Sequence, residues 1–161
     1  MRTESQAMTN GTTRLWVKWL IVTLVLAVIA FLASPNGPLG MFWRPSAEMP
    51  HPAGVQLPLL VLLNMAEVVT FGLGVSFLIF GYPLVQSTLP ASKGLTLATY
   101  LSIGWLLANW WPHDSLHVAN GLRLNGLIAI EYGFHITLMV AGAILAYFFL
   151  TLLREQARQS R

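Results

Sequence analysis

The sequence predicts an all-α integral membrane protein, a bundle of four transmembrane helices with its N- and C-termini cytoplasmic. Three observations predict it. The chain has four long apolar runs. Of its 161 residues 55% are hydrophobic and only 9% are charged, where a soluble domain carries about 25% charged residues. Its bases fall mainly on segments that share one face of the membrane. A chain this short cannot enclose so much apolar surface in a water-facing shell, so lipid is its natural solvent.

Residues 1–14 are polar and aperiodic and read as a disordered cytoplasmic tail. The transmembrane domain is expected over 15–153, with spans near 16–34, 58–82, 94–111 and 126–153. The first run, broken only by Lys18, follows basic residues as a signal peptide would. Its small-x-small cleavage pattern is poor, however, and Pro35 and Pro38 follow at once, so an uncleaved helix is expected. Pro35 to Leu57 is rich in Pro, Gly and Met and holds Arg44, Glu48 and His51, a long loop with room for a helical turn. Pro58 opens the second run, long enough to cross a bilayer core of about 30 Å. The loop Gln86–Lys93 leads to the third, which ends on Trp110 and Trp111, an aromatic pair of the kind found at the membrane–water interface. Pro112 and Asn120-Gly121 then bracket a short loop helix around 113–119. The fourth run is followed by a basic cytoplasmic tail, 154–161. No internal repeat is visible.

Orientation follows from the bases. Arg2, Arg14, Lys18, Lys93, Arg154, Arg158 and Arg161 form the inside set, and Arg44 and Arg123 the outside set. Seven against two is a positive-inside bias. The 35–57 and 112–126 loops are therefore expected outside, which for an inner (plasma) membrane of bacterial type is the periplasm. The net charge of +3 reflects this loop bias. Nucleic acid is not an expected partner, because the bases are few, scattered and not interleaved with aromatic residues. The partners expected are membrane lipid, with other membrane subunits or further copies of the chain as alternatives. Gly72, Gly74 and Ser76 in the second run, and Ala141, Gly142, Ala143 and Ala146 in the fourth, suit close helix packing.

The chemistry-bearing residues are the few polar groups in apolar runs. An ionisable side chain at membrane depth costs at least about 2.5–3.5 kcal/mol on insertion scales and normally faces a partner inside the bundle. Glu67 lies nine residues below Pro58, and Glu131 and His135 lie below Gly126. At about 1.5 Å per residue all three fall at comparable depth in the outer half. Glu131 and His135 share a helix face, as do Asn64 and Glu67. Asn109, one turn before His113, adds a polar group from the third helix. Glu67 is expected to face the fourth helix, within hydrogen-bond reach of Glu131 or His135 or linked to them by one water. Just above, a helix over 113–119 would set His113 and His117 four apart, the spacing by which two imidazoles chelate one Zn²⁺ or Cu²⁺. Asp114 is placed to serve as a further ligand or as the partner of a ring N–H.

Several chemistries are disfavoured. With no cysteine there is no disulfide, thiolate metal site or iron–sulfur cluster. A bis-His haem would want histidines deep on two helices, and only His135 qualifies, so no haem is expected. The pair His113-x-x-x-His117 lacks the glutamate of an HExxH protease. Glu131-x-x-x-His135 is one residue longer than the Glu-x-x-His of di-iron bundles and occurs once. Met41, Met49, Met65 and Met139 suit packing better than copper ligation, and His51 stands alone in its loop.

Four functions remain. The leading one is an outer-side His/carboxylate site that binds a divalent transition metal, Cu or Zn, through His113, Asp114, His117 and His135. Such a site would serve metal handling or redox chemistry on a small lipophilic substrate. The second is a non-catalytic subunit of a larger respiratory or photosynthetic membrane complex. The third is a metal-free acid–base enzyme on a lipid-like substrate, with Glu67, Glu131 and His135 as catalytic proton carriers. The fourth, ion or proton transport, suffers from the lack of a charged group in the inner half.

Overall fold

The structure, a computed structural model, describes residues 2–35, 37–47, 53–88 and 92–159. All regular structure among these residues is helical. Helix α1 spans Arg2–Ala33, so helical bounds run back through the segment read as a tail, and its apolar part is Arg14–Ala33. A 3-10 turn, Gly40–Trp43, follows in the loop. Next come α2 (Gln56–Phe80), α3 (Tyr82–Thr88), α4 (Lys93–Ala108) and α5 (Trp110–Asn120). A last rod consists of α6 (Leu124–Glu131), one π-helical turn (Tyr132–Ile136) and α7 (Thr137–Gln159).

Three helical stretches are long and apolar enough to cross a membrane: Arg14–Ala33, Gln56–Phe80 and Leu124–Arg158. Their windows bury only 17%, 22% and 11% of residues inside the chain. Leu20, Leu24, Val28, Leu59, Leu62 and Phe149 all point outward. Apolar side chains turned outward on this scale require a lipid-like surrounding. This is a membrane protein by length and apolar surface.

The third expected span is shorter than anticipated. Helix α4 has 16 residues, about 24 Å of rise, and the chain breaks at Asn109 before α5. The apolar run continues through Trp110 and Trp111, which hides that break in the sequence. Asn109 lies at the break. Fully buried, it turns its side-chain Nδ2 back onto the carbonyls of Trp105 (2.7 Å) and Leu106 (3.1 Å). It thereby satisfies the end of α4 and does not join the histidines.

The long helices stand in a row, α1 against α2, α2 against α4, α4 against α7. Small residues set the spacing. A Cβ on Gly72 would lie 2.4 Å from the Thr23 carbonyl oxygen, and one on Gly74 would lie 2.6 Å from the Ala108 nitrogen. Between α1 and α2, Ala27, Ala30 and Val68 form a small apolar core. Beside it Thr23 Oγ1 donates to Ser76 Oγ at 2.9 Å. Small side chains and interhelical hydroxyl bonds replace the large core of a soluble protein. Of the small residues of α7, Ala141 is buried, whereas Gly142 meets nothing within 4 Å and Ala143 and Ala146 are exposed.

Helix α5 caps one end of the row and contacts α2, α4, α6 and the 3-10 turn. Pro112 sits in its first turn, where its missing N–H breaks no bond. Gly121 ends it with a φ of 61°, its N–H returning to the His117 carbonyl at 2.9 Å. Trp111 locks α5 down. Its ring packs on Phe71 (4.8 Å between centroids) and Trp43 (5.7 Å), and its Nε1 donates to Ser34 Oγ at 3.0 Å. Trp110 alone of the expected interfacial pair is turned outward.

Candidate functional site

The helical spacing of α5 puts His113 and His117 on one face, where their Nε2 atoms lie 3.1 Å apart. The rings cross edge to face, with centroids 4.6 Å apart. His113 Nδ1 meets Asp114 Oδ1 at 3.2 Å. A proton on that Nδ1 leaves Nε2 as a bare lone pair aimed at His117. His113 is the most enclosed of the group, its side chain 12% exposed, against 27% for His117. Burial holds the His113 ring below its ordinary pKa, the neighbouring His117 pushes the same way, and Asp114 opposes both.

The last rod supplies the other half. His117 Nε2 lies 3.6 Å from Glu131 Oε1, and Glu131 Oε2 lies 2.5 Å from His135 Nδ1. The His135 ring returns to His113, with centroids 5.3 Å apart. Asp114, His113, His117, Glu131 and His135 therefore form one unbroken chain of polar contacts between α5 and the last rod.

The π turn positions that half, and a layer of residues that the sequence did not mark supports it. Phe134 projects from the turn, stacks on Trp105 (5.6 Å) and touches His113 (5.0 Å). Trp105 Nε1 donates to Thr137 Oγ1 at 3.0 Å. The Thr137 hydroxyl answers the carbonyls of Gly133 (2.7 Å) and Phe134 (2.9 Å). A widened turn leaves backbone carbonyls short of partners, and π turns recur at functional sites for that reason. An indole and a threonine one span apart carried the only signal, and neither is unusual in an apolar run.

Glu67 is placed differently from the expectation. It shares a cleft with Asp114 on α5 and not with Glu131 or His135. The reason is packing order: α4 stands between α2 and α7, while α5 folds over the end of the row and reaches α2 first. Glu67, Asn64, Asp114 and Ser115 line a cleft of about 100 Å³ beside Ser34, and Asn64 Oδ1 accepts the Ser34 hydroxyl at 3.0 Å. Met41, Met65 and Met139 are exposed. Glu48, Met49 and His51 lie outside the described residues.

Among the described residues no group of three or more His, Cys, Asp or Glu is already gathered as a metal-holding set. No family model, curated protein or solved structure matches the chain.

Proposed function

We infer that this chain is a four-span inner-membrane protein that binds one divalent transition metal at its outer end. The ligands in this reading are His113 Nε2, His117 Nε2 and an oxygen of Glu131. His135 stands ready as a fourth ligand, and Asp114 fixes His113 through its other nitrogen. The observation that carries the reading is the spacing of three donors, 3.1 Å between the two Nε2 atoms and 3.6 Å from His117 to Glu131. Ligands at about 2.0–2.1 Å from a tetrahedral metal stand roughly 3.3 Å from one another. Asp114 on the far nitrogen of His113 is the usual carboxylate partner of a ligating imidazole. Glu131 offers Oε1 to the metal while Oε2 keeps its contact with His135, which orients the carboxylate. With nitrogen and oxygen donors only, Cu²⁺ or Zn²⁺ is favoured.

The topology belongs to the same reading. Helix α4 runs alongside α2 and α7 in the row, so a membrane crossed by those two is crossed beside α4 as well. The bases put α5 outside. A redox or metal-handling role toward a small lipophilic molecule suits a site at the end of a lipid-embedded bundle.

A second reading rests on the unbroken polar chain from Asp114 to His135, which suits metal-free acid–base chemistry. Metal counting separates the two. Wild type purified in mild detergent and loaded with Zn²⁺ should carry one ion per chain, and a folded His113→Ala/His117→Ala variant should carry none. Equal content in both proteins, or none in either, would refute the metal site. Weight would then move to the acid–base reading, or to a subunit role if partner chains co-purify.

A further inference from the structure

The end of the bundle that α5 caps carries a second feature, which the histidine cluster does not use. Between α5 and α6 runs a groove of about 410 Å³, within the range of about 300–1,000 Å³ usual for small-molecule sites. Its walls are apolar: Leu116 and Ala119 on α5, Ala129 and Ile130 on α6, and Phe134 on the π turn. Toward the α5–α6 loop it meets a more polar hollow, where Arg123 and Asn120 line both and Asn125 joins them. No Asp or Glu lines either one.

Arg123 is held there as a fixed cation. Its Nε donates to the Asn120 carbonyl at 3.0 Å and its Nη2 to the Ala119 carbonyl at 3.1 Å. Asn120 Nδ2 returns to the Arg123 carbonyl at 3.0 Å. The two accepting carbonyls belong to the last turn of α5, whose negative end the guanidinium offsets. That structural role uses two of the five N–H groups of an arginine. Among the described residues Nη1 donates to nothing, and the charge has no acidic partner. A guanidinium already fixed in place loses little further freedom when an anion binds it.

The residues beside Arg123 point to lipid. Leu122 is 72% exposed and Leu124 67%, and Ile128 is turned outward one turn further along α6. A cation between two outward leucines, at the end of a membrane bundle, suits the depth where acyl chains meet head groups.

We propose that this groove binds one anionic phospholipid, its phosphate on the Arg123 guanidinium and one acyl chain along Ala119, Ala129 and Ile130 toward Phe134. Charge complementarity selects the head group, because a planar guanidinium suits phosphate and no carboxylate in the groove opposes it. The apolar walls select a lipid over a free anion. Phe134 also packs on His113, with centroids 5.0 Å apart, so the bound chain would end one ring away from the histidines. The inference goes beyond the metal reading and stands whether or not a metal binds.

Native mass spectrometry on the full chain in mild detergent tests it, with phosphatidylglycerol and phosphatidylcholine of the same acyl chains as probes. One phosphatidylglycerol per chain should survive detergent removal, with phosphatidylcholine held about tenfold more weakly and inorganic phosphate unable to displace the lipid. Arg123→Gln should abolish the preference, whereas Arg154→Gln, which removes the same charge at the other end of the chain, should keep it. Because Arg123→Gln also removes the bonds to the end of α5, a second variant leaves them intact. Ala129→Phe fills the groove from an exposed position and should lower retention of phosphatidylglycerol several-fold at an unchanged melting temperature. Equal retention of the two lipids overturns the proposal, as does an equal loss of preference in both arginine variants. Ala129→Phe binding like wild type also overturns it, and displacement by inorganic phosphate would leave a simple anion site in its place.

Discussion

The Nε2 atoms of His113 and His117 face each other at 3.1 Å, while Asp114 holds His113 from the opposite nitrogen at 3.2 Å. A shared hydrogen bond satisfies that arrangement in the metal-free chain, and a metal would replace it. In the proposed metal site Asp114 would set which nitrogen carries the proton. Asp114→Asn keeps the shape and removes the charge. Zn²⁺ affinity, read by competition with a chromogenic chelator, should fall about 10–100-fold. Unchanged affinity would show that Asp114 does not orient the ligand.

Topology can be tested without knowing the ligand. Single cysteines at positions 45 and 119 should react with an impermeant thiol reagent added to whole cells, and one at position 90 should not. The chain has no cysteine of its own, so the background is clean. The reverse labelling pattern would invert the orientation, and labelling of all three would contradict a crossing by α4.

Two glycines in comparable apolar helices should respond in opposite ways. Gly72→Ala sets a Cβ 2.4 Å from the Thr23 carbonyl oxygen and should destabilise the chain by about 1–3 kcal/mol as α1 and α2 are pushed apart. Gly142→Ala meets nothing within 4 Å and should be neutral, or stabilising by up to about 1 kcal/mol through helix propensity. Thermal melts in one detergent decide both. A loss at Gly142 would mean that α7 packs against another chain on its small face.

Acid should loosen the metal-free protein through His113. Its ring titrates below the ordinary value of 6.5, so the folded state binds fewer protons than the unfolded one in that window. The contribution is present above about pH 6.5 and is lost as pH falls from there toward the folded value. The groups facing the ring are Asp114 and His117 on α5 and His135 on the last rod, with Glu131 behind His117. Melting temperature between pH 7.5 and 5.5 should drop less in folded His113→Asn than in wild type. Equal drops would assign the acid sensitivity to those neighbours.

The histidine and carboxylate pairs were legible because helical periodicity alone brings residues four apart onto one face, as at His113/His117 and Glu131/His135. Glu67 was legible as a group needing a partner, since a carboxyl among leucines and valines must find one. Its partner was not, because nothing in the residues states that α5 folds over the row before α7 can reach α2. The shortness of α4 was hidden for a related reason. Hydropathy reads Trp110 and Trp111 as a continuation of the run, whereas the break falls just before them, at the buried Asn109.

The widened turn at Tyr132–Ile136 gives this chain one residue of slack in length at one place. Such a turn holds one residue more than an α-helix needs, and each residue advances a helix by about 100°. Removing Gly133 would let the rod close into uninterrupted α-helix with α6 and α7 still in phase, because the turn already absorbs the extra residue. A second deletion has no such slack: with α7 docked on α4, the segment before it must swivel by roughly that angle, carrying Glu131 away from His117. One codon is dispensable there, and two are not.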